Sequence, residues 1–165
     1  MSKLPVAFDP LTLPESNATR YPAKFRADNQ KRWIRRLSSH ARLRNFGVNI
    51  TRIIPGGQSS ARHTHSKQDE FIYVLQGEVV LQTNAGAETM RPGMCVGFPA
   101  GGGNAHRFVN RSKADVLLLV VGDRTPGDEI SYPDIDNRAR MDASGNYVYT
   151  RKDGTPHRQR ARSKP

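Results

Sequence analysis

From Phe46 onward the chain alternates short apolar runs with turn residues, and the runs have the period and length of β-strands. FGVNITRII ends at Pro55-Gly56-Gly57, EFIYVLQG at Gly77, and EVVLQT at Asn84-Ala85-Gly86. AETM is closed by Pro92-Gly93 and MCVGFP by Ala100 and three glycines, while HRFVN and DVLLLVVGD complete the set. Closely spaced strands with Gly/Pro punctuation predict an all-β sandwich or barrel. No helical-period segment of roughly 10–15 residues separates them, which argues against a parallel α/β sheet.

The flanks read differently. Residues 1–27 carry Pro5, Pro10, Pro14 and Pro22 with little periodicity, the pattern of an extended arm. In DNQKRWIRRLSS, Asp28 can cap a short helix with Trp33, Ile34 and Leu37 on its apolar stripe. Lys31, Arg32, Arg35 and Arg36 then form a solvated basic face. After Asp123 the chain turns polar, with a hairpin expected at Ser144-Gly145-Asn146 before Tyr147-Val148-Tyr149. The closing PHRQRARSKP reads as a disordered basic tail. The expected organisation is an arm and short basic helix over 1–44, a barrel over 45–123, and an extension with a tail over 124–165.

Charge sharpens this division. The net charge of +11 suggests a nucleic-acid partner, but residues 1–44 contribute +7 and 138–165 contribute +6, while 45–137 carry −2. The basic character belongs to the flanks, and no nucleic-acid-binding motif accompanies it, so that reading ranks last. The longest apolar run, Val116 to Val121, is six residues, far short of a membrane span. Prolines interrupt the N-terminus where a signal peptide needs its apolar stretch, and the single cysteine forbids an intrachain disulfide. A cytoplasmic protein is expected. Cys95 lies in an apolar strand and is read as a buried, inert thiol, able to ligate a metal only if it points inward.

The candidate chemistry lies in GGQSSARHTHSKQDEFIYVLQG. Residues two apart on a strand share a face, so His63 and His65 can both point into a barrel while Arg62 and Thr64 point out. Glu70 is out of phase with them, and a turn over Ser66–Asp69 corrects this, letting Glu70 open a strand whose Ile72 and Val74 share its face. A hairpin of this kind brings two imidazoles and a carboxylate together, a set suited to a divalent transition metal.

The spacing around these residues resembles the cupin superfamily. Gly57, five residues, His63-x-His65, four residues, Glu70, six residues and Gly77 match its first motif. Gly93, five residues, Pro99-x-Gly101, then His106, three residues and Asn110 resemble the second, with two extra residues between Gly101 and His106. The resemblance covers residues 45–122. It implies a double-stranded β-helix, a small jelly-roll barrel, holding one divalent metal (Zn, Mn, Fe or Ni) on His63, His65, Glu70 and His106. Asn110 reads as structural, and Gly57, Gly77 and Gly93 as tight turns with positive φ.

Compact cupins of this kind resemble sugar-phosphate isomerases, which implies Lewis-acid chemistry on a small molecule. An iron-dependent dioxygenase and a non-catalytic, metal-containing ligand-binding module are the alternatives, because no acid–base residue stands out beyond the ligands. Arg62, Arg107 and Tyr73 alternate outward, and the face of Arg52 is left open. Open sheet edges and the proline-rich arm predict a homodimer.

Overall fold

The computed structural model describes residues 7–157, and its strands pair antiparallel throughout. In chain order they are β1 (Arg32–Arg36), β2 (Phe46–Ile53), β3 (Thr64–His65), β4 (Glu70–Gln76), β5 (Val79–Thr83) and β6 (Gly86–Met90). They continue as β7 (Cys95–Phe98), β8 (Arg107–Val109), β9 (Val116–Asp123), β10 (Glu129–Ser131), β11 (Arg138–Met141) and β12 (Tyr147–Thr150). One α-helical turn, α1 (Leu37–His40), and three short 3-10 turns are the only helices among the described residues. Three sheets result: β1-β2-β9-β4-β7, β12-β11-β10-β3 and β6-β5-β8. The fold is all-β, as the strand punctuation predicts, and takes the jelly-roll form that the resemblance implies.

Alternation within the strands decides what fills the barrel. Ile53 pairs with Val116, and Leu118 with Val74, so these side chains share the inner face, where all four are fully buried. With Ile72, Val79, Leu81, Met90, Phe98 and Phe108 they form the main core. Truncating one of these to alanine costs about 2–5 kcal/mol, because the void stays largely unfilled. A second cluster of Tyr21, Phe25, Ala61, Ile130, Tyr132 and Ala139 joins the N-terminal arm to the β10–β12 sheet. The site lies between the two clusters.

The helix expected after Asp28 is corrected to a strand. Arg32–Arg36 pairs residue for residue with Ile53–Asn49, and only the following turn, Leu37–His40, is helical. The isolated helix would have had three apolar residues to bury. The ladder instead satisfies the backbone of five residues against an existing sheet. Arg35 is drawn into an ion pair with Glu15 at 2.6 Å, so the helix's solvated basic face does not form.

Two glycines work by different means. Gly77 has φ +81°, and a Cβ there would meet the Asp115 carbonyl oxygen at 2.7 Å. Gly57 does not have the positive φ expected of it, which falls instead to Gly56 at +72°. It is required for close approach, since its Cβ would lie 2.5 Å from the Lys31 carbonyl oxygen. Asn110 is fully buried, donating to Ile53 O (2.8 Å) and Ala114 O (2.7 Å) and accepting from Ser112, a structural role.

Cys95 is exposed, not buried. It pairs with Tyr73 on the outer face of the sheet, and Val96 and Phe98 take the inner positions. Its thiol therefore points away from the candidate metal site. The hairpin before Tyr147 forms between β11 and β12. Residues 158–165 of the basic tail lie outside the described residues.

Candidate metal centre

His63 and His106 face each other across an isolated bridge, His63 N donating to His106 O (3.0 Å) and His106 N to His63 O (2.8 Å). His65 ends β3 and Glu70 opens β4, with residues 66–69 between them as expected. The two strands do not form the anticipated hairpin. β3 pairs with β10, and β4 with β9 and β7, so the connection carries the chain from one sheet to another.

Three imidazoles turn Nε2 towards one carboxylate oxygen. Glu70 Oε2 lies 2.8 Å from His106, 3.4 Å from His63 and 3.9 Å from His65. Donor atoms of His63, Glu70 and His106 all lie within 4.8 Å of one another, and His65 stands at the margin of that group. Two ligands about 2.1 Å from an ion and at right angles are about 3 Å apart, close to the nearest of these separations.

The opposite edge of each ring fixes its proton. His63 Nδ1 is 3.1 Å from the Ala61 carbonyl oxygen and His106 Nδ1 is 3.4 Å from that of Asn104. His65 Nδ1 is 2.6 Å from Asp128 Oδ2. The Ser60 hydroxyl, also 3.1 Å from His63 Nδ1, can accept as well, and with Nδ1 carrying the hydrogen each Nε2 presents a lone pair to Glu70, itself an acceptor. Acceptors facing one another in a buried space need a proton or a cation between them. Burial pushes His63 below the usual imidazole range despite Glu70 beside it, which disfavours the proton. The arrangement fits a divalent ion, and His63, Glu70 and His106 could hold it.

The remaining electrostatics follow from contacts. Glu70 sits well below the carboxylate range: burial opposes this, but the close His106 and His63 imidazoles, with His65 beyond them, outweigh it. His65 is raised in spite of burial by its hydrogen bond to Asp128 and by the charges of Glu70 and Asp128. Asp128 is fully buried yet held at about 2: its bonds to His65, Tyr147 and Lys67 outweigh desolvation. Tyr147 is pushed upward by burial and by that carboxylate, to which it donates at 2.7 Å.

His63, Glu70 and His106 line a cavity of about 130 Å³, with Arg32, Thr51, Ser59, Ser60, Ile72, Phe108 and Val120 as its other walls. Phe98 stacks on His106 with centroids 3.5 Å apart. A wider cavity of about 330 Å³, lined by Thr64, Ala105, Tyr132, Arg138 and Lys152, holds none of the candidate ligands.

The other arginines divide as alternation predicts. Arg62 turns outward to Asp134 and Asn84, and Arg107 to Gln82 and Gln58. Arg52, left open in sequence, pairs with Glu15 and Asp115 beside Trp33. Sequence reasoning missed Arg32, Asp128 and Tyr147. Arg32 lies in RWIRR, whose two adjacent apolar residues between arginines do not alternate and fit helix or strand alike. Asp128 and Tyr147 lie in the polar extension with nothing local to mark them.

No curated protein matches the chain. The family model described as a cupin domain matches residues 49–122. A solved structure described as a sugar phosphate isomerase from a cupin superfamily, from Silicibacter pomeroyi DSS-3, is 42% identical; the match covers 92% of this chain and 96% of that one, with TM-score 0.87. A candidate sugar phosphate isomerase from Acidithiobacillus ferrooxidans is 27% identical over 78% of this chain and 81% of that one, TM-score 0.68. The polyketide cyclase RemF from Streptomyces resistomycificus shares the fold at 22% identity, over 74% and 80% of the two chains, TM-score 0.59. With both motifs converging inside the barrel and a full-length relative of this similarity, the chain belongs to the cupin superfamily.

Proposed function

We propose that this protein is a metal-dependent enzyme acting on a small molecule, most closely a sugar-phosphate isomerase, with one divalent ion held by His63, His65, Glu70 and His106. The observation that supports the proposal is the convergence of three imidazole Nε2 atoms on one carboxylate oxygen, with His63, Glu70 and His106 of that set lining a common cavity. The similarity to the Silicibacter pomeroyi protein supports the choice of reaction.

When bound, the ion supplies Lewis acidity towards a carbonyl or hydroxyl oxygen. The chain does the rest. Asp128, Ala61 O and Asn104 O hold the imidazoles in the ligating tautomer. Ile72, Phe108 and Val120 limit water at the ligand, and Thr51, Ser59 and Ser60 offer hydroxyls to it.

A second reading, a module that holds its ligand without turning it over, is favoured by one observation. Glu70 is the only carboxylate lining the cavity among the described residues, and it is committed as a ligand. Elemental analysis of protein purified without a metal-affinity tag, followed by deuterium wash-in from D2O with aldose and ketose phosphates, separates the readings. About one metal per chain with exchange supports the isomerase. Metal without exchange transfers the case to the binding module, and no metal even after reconstitution overturns both.

The same proposal includes a homodimer in the cytoplasm. Phe71, Tyr73 and Leu75 on the outer face of β4, with Met94 beside them, are exposed apolar side chains suited to a partner copy. No helix among the described residues is long and apolar enough to cross a membrane. Nucleic-acid binding keeps its last rank in this reading, and Arg35 of the basic N-terminal flank is engaged with Glu15.

A further inference from the structure

Arg32 is placed unlike any other arginine among the described residues. Opposite Ile53 in the β1–β2 register, it lies on the inner face of the sheet and lines the cavity that also holds His63, Glu70 and His106. Arg35, Arg52, Arg62 and Arg138 each reach a carboxylate. Arg32 pairs with none among the described residues. Its electrostatic neighbours are the phenols of Tyr21, Tyr149 and Tyr132, with Arg36 the other charge nearby. Burial pulls it below the usual guanidinium value, and the phenols offset this only in part.

Arg32 is half-buried, and a partly desolvated guanidinium without a counter-charge carries a cost that an anion in the cavity would offset. The contacts of β1 do not themselves call for a charge at Arg32. Its sheet pairing uses the backbone alone, and the tyrosine cluster is already packed, Tyr21 lying 5.7 Å from Tyr132 and 5.8 Å from Tyr149 between ring centroids. The planar fork matches the oxygens of a phosphate or carboxylate, which a lysine point charge does not.

We propose that Arg32 binds the anionic group of the ligand, a phosphate or carboxylate, at one end of the cavity, while the ligand's carbonyl or hydroxyl oxygens face His63, Glu70 and His106 at the other. This deepens the isomerase reading and rests on it for the second half only. A cavity of about 130 Å³ is below the usual range for drug-sized ligands, so the ligand is a short-chain anionic compound or enters by its anionic end.

The test uses the full chain, metal-loaded, titrated calorimetrically with inorganic phosphate and separately with glycolate, as wild type, Arg32→Gln and Arg32→Lys. Expected is saturable binding of one or both anions, weakened at least about tenfold in Arg32→Gln and less in Arg32→Lys, with metal content unchanged. The stronger of the two wild-type titrations identifies phosphate or carboxylate as the preferred group. Equal affinity in wild type and Arg32→Gln, or no binding of either anion by wild type, overturns the proposal. Should Arg32→Gln fail to fold, Arg32→Lys carries the comparison, and an undiminished affinity there counts against the two-pronged contact. Repeating the titration after chelation separates the two ideas. Anion binding that survives without metal and still depends on Arg32 upholds the arginine's role whatever becomes of the metal. Binding lost with the metal and indifferent to Arg32 is ligation of the ion, and sinks the proposal.

Discussion

Replacing Asp128 by asparagine keeps the shape of the side chain and reverses the chemistry at His65. The carboxylate is fully buried and accepts from four groups: His65 Nδ1 (2.6 Å), the Tyr147 hydroxyl (2.7 Å), Lys67 N (2.8 Å) and Ser66 Oγ (3.3 Å). An asparagine can keep its oxygen on the Lys67–Ser66 side only by turning its NH2 towards His65. Nδ1 must then accept, the ring proton moves to Nε2, and the nitrogen facing Glu70 loses its lone pair. Second-sphere losses of this kind cost about 10–100-fold in metal affinity, or about 1.4–2.8 kcal/mol. The charge-assisted bond to His65 is worth about 1.5–3 kcal/mol to the fold. At about 2–4 °C per kcal/mol for a chain of this size, the metal-free protein should melt lower by several degrees. Competition titration against a chromophoric chelator reads the affinity, and circular dichroism reads the melt. Metal affinity within twofold of wild type would show that His65 does not need its carboxylate to ligate, and the tautomer argument would fall. Tyr147→Phe, which removes one donor and leaves the charge, should lie between the two.

His106→Ala, or His63→Ala with His65→Ala, should abolish metal binding while the far-ultraviolet spectrum stays that of a β-barrel; full occupancy in the double variant would show the ligand assignment is wrong. Gly77→Ala places a Cβ 2.7 Å from the Asp115 carbonyl at φ +81°, and should lower stability by about 1–3 kcal/mol or more in urea unfolding. Glu15 is held below its usual 4.5 mainly by hydrogen bonds and charge from Arg52 and Arg35, burial opposing. Its contribution is therefore complete above pH 4.5 and lost as pH falls through the lowered value, so limited proteolysis of the arm near Asn17–Arg20 should increase between pH 5 and 3. Glu15→Gln should show the faster cleavage already at pH 7. Phe71→Glu with Tyr73→Glu should turn a dimer into a monomer by light scattering, and a wild-type monomer would remove the dimer proposal.

Local chemistry alone determines much of this protein. Glycine and proline at strand ends, a period of two between them, and the phase correction at Ser66–Asp69 are short-range properties, so β4, β5, β7 and β9 and the inward set of His63, His65 and Glu70 can be read without a structure. The outward placement of Arg62, Arg107 and Tyr73 follows from the same alternation. Cys95 escaped it, because an apolar run with one exposed face looks like a buried one until its partner strands are known. Arg32–Arg36 could be helix or strand on its own residues, and the free edge of β2, which offers it a ladder, decided the matter. That choice turned Arg32 from a solvated charge into a cavity wall. Asp128 meets His65 across 63 positions, and Tyr147 meets Asp128 from a different strand, so no window along the chain contains the contact. Which residues share a face is settled by neighbours in sequence, but which face is buried, and which counter-charges and second-sphere partners meet, is settled by which strands pair, and only the folded barrel brings them together.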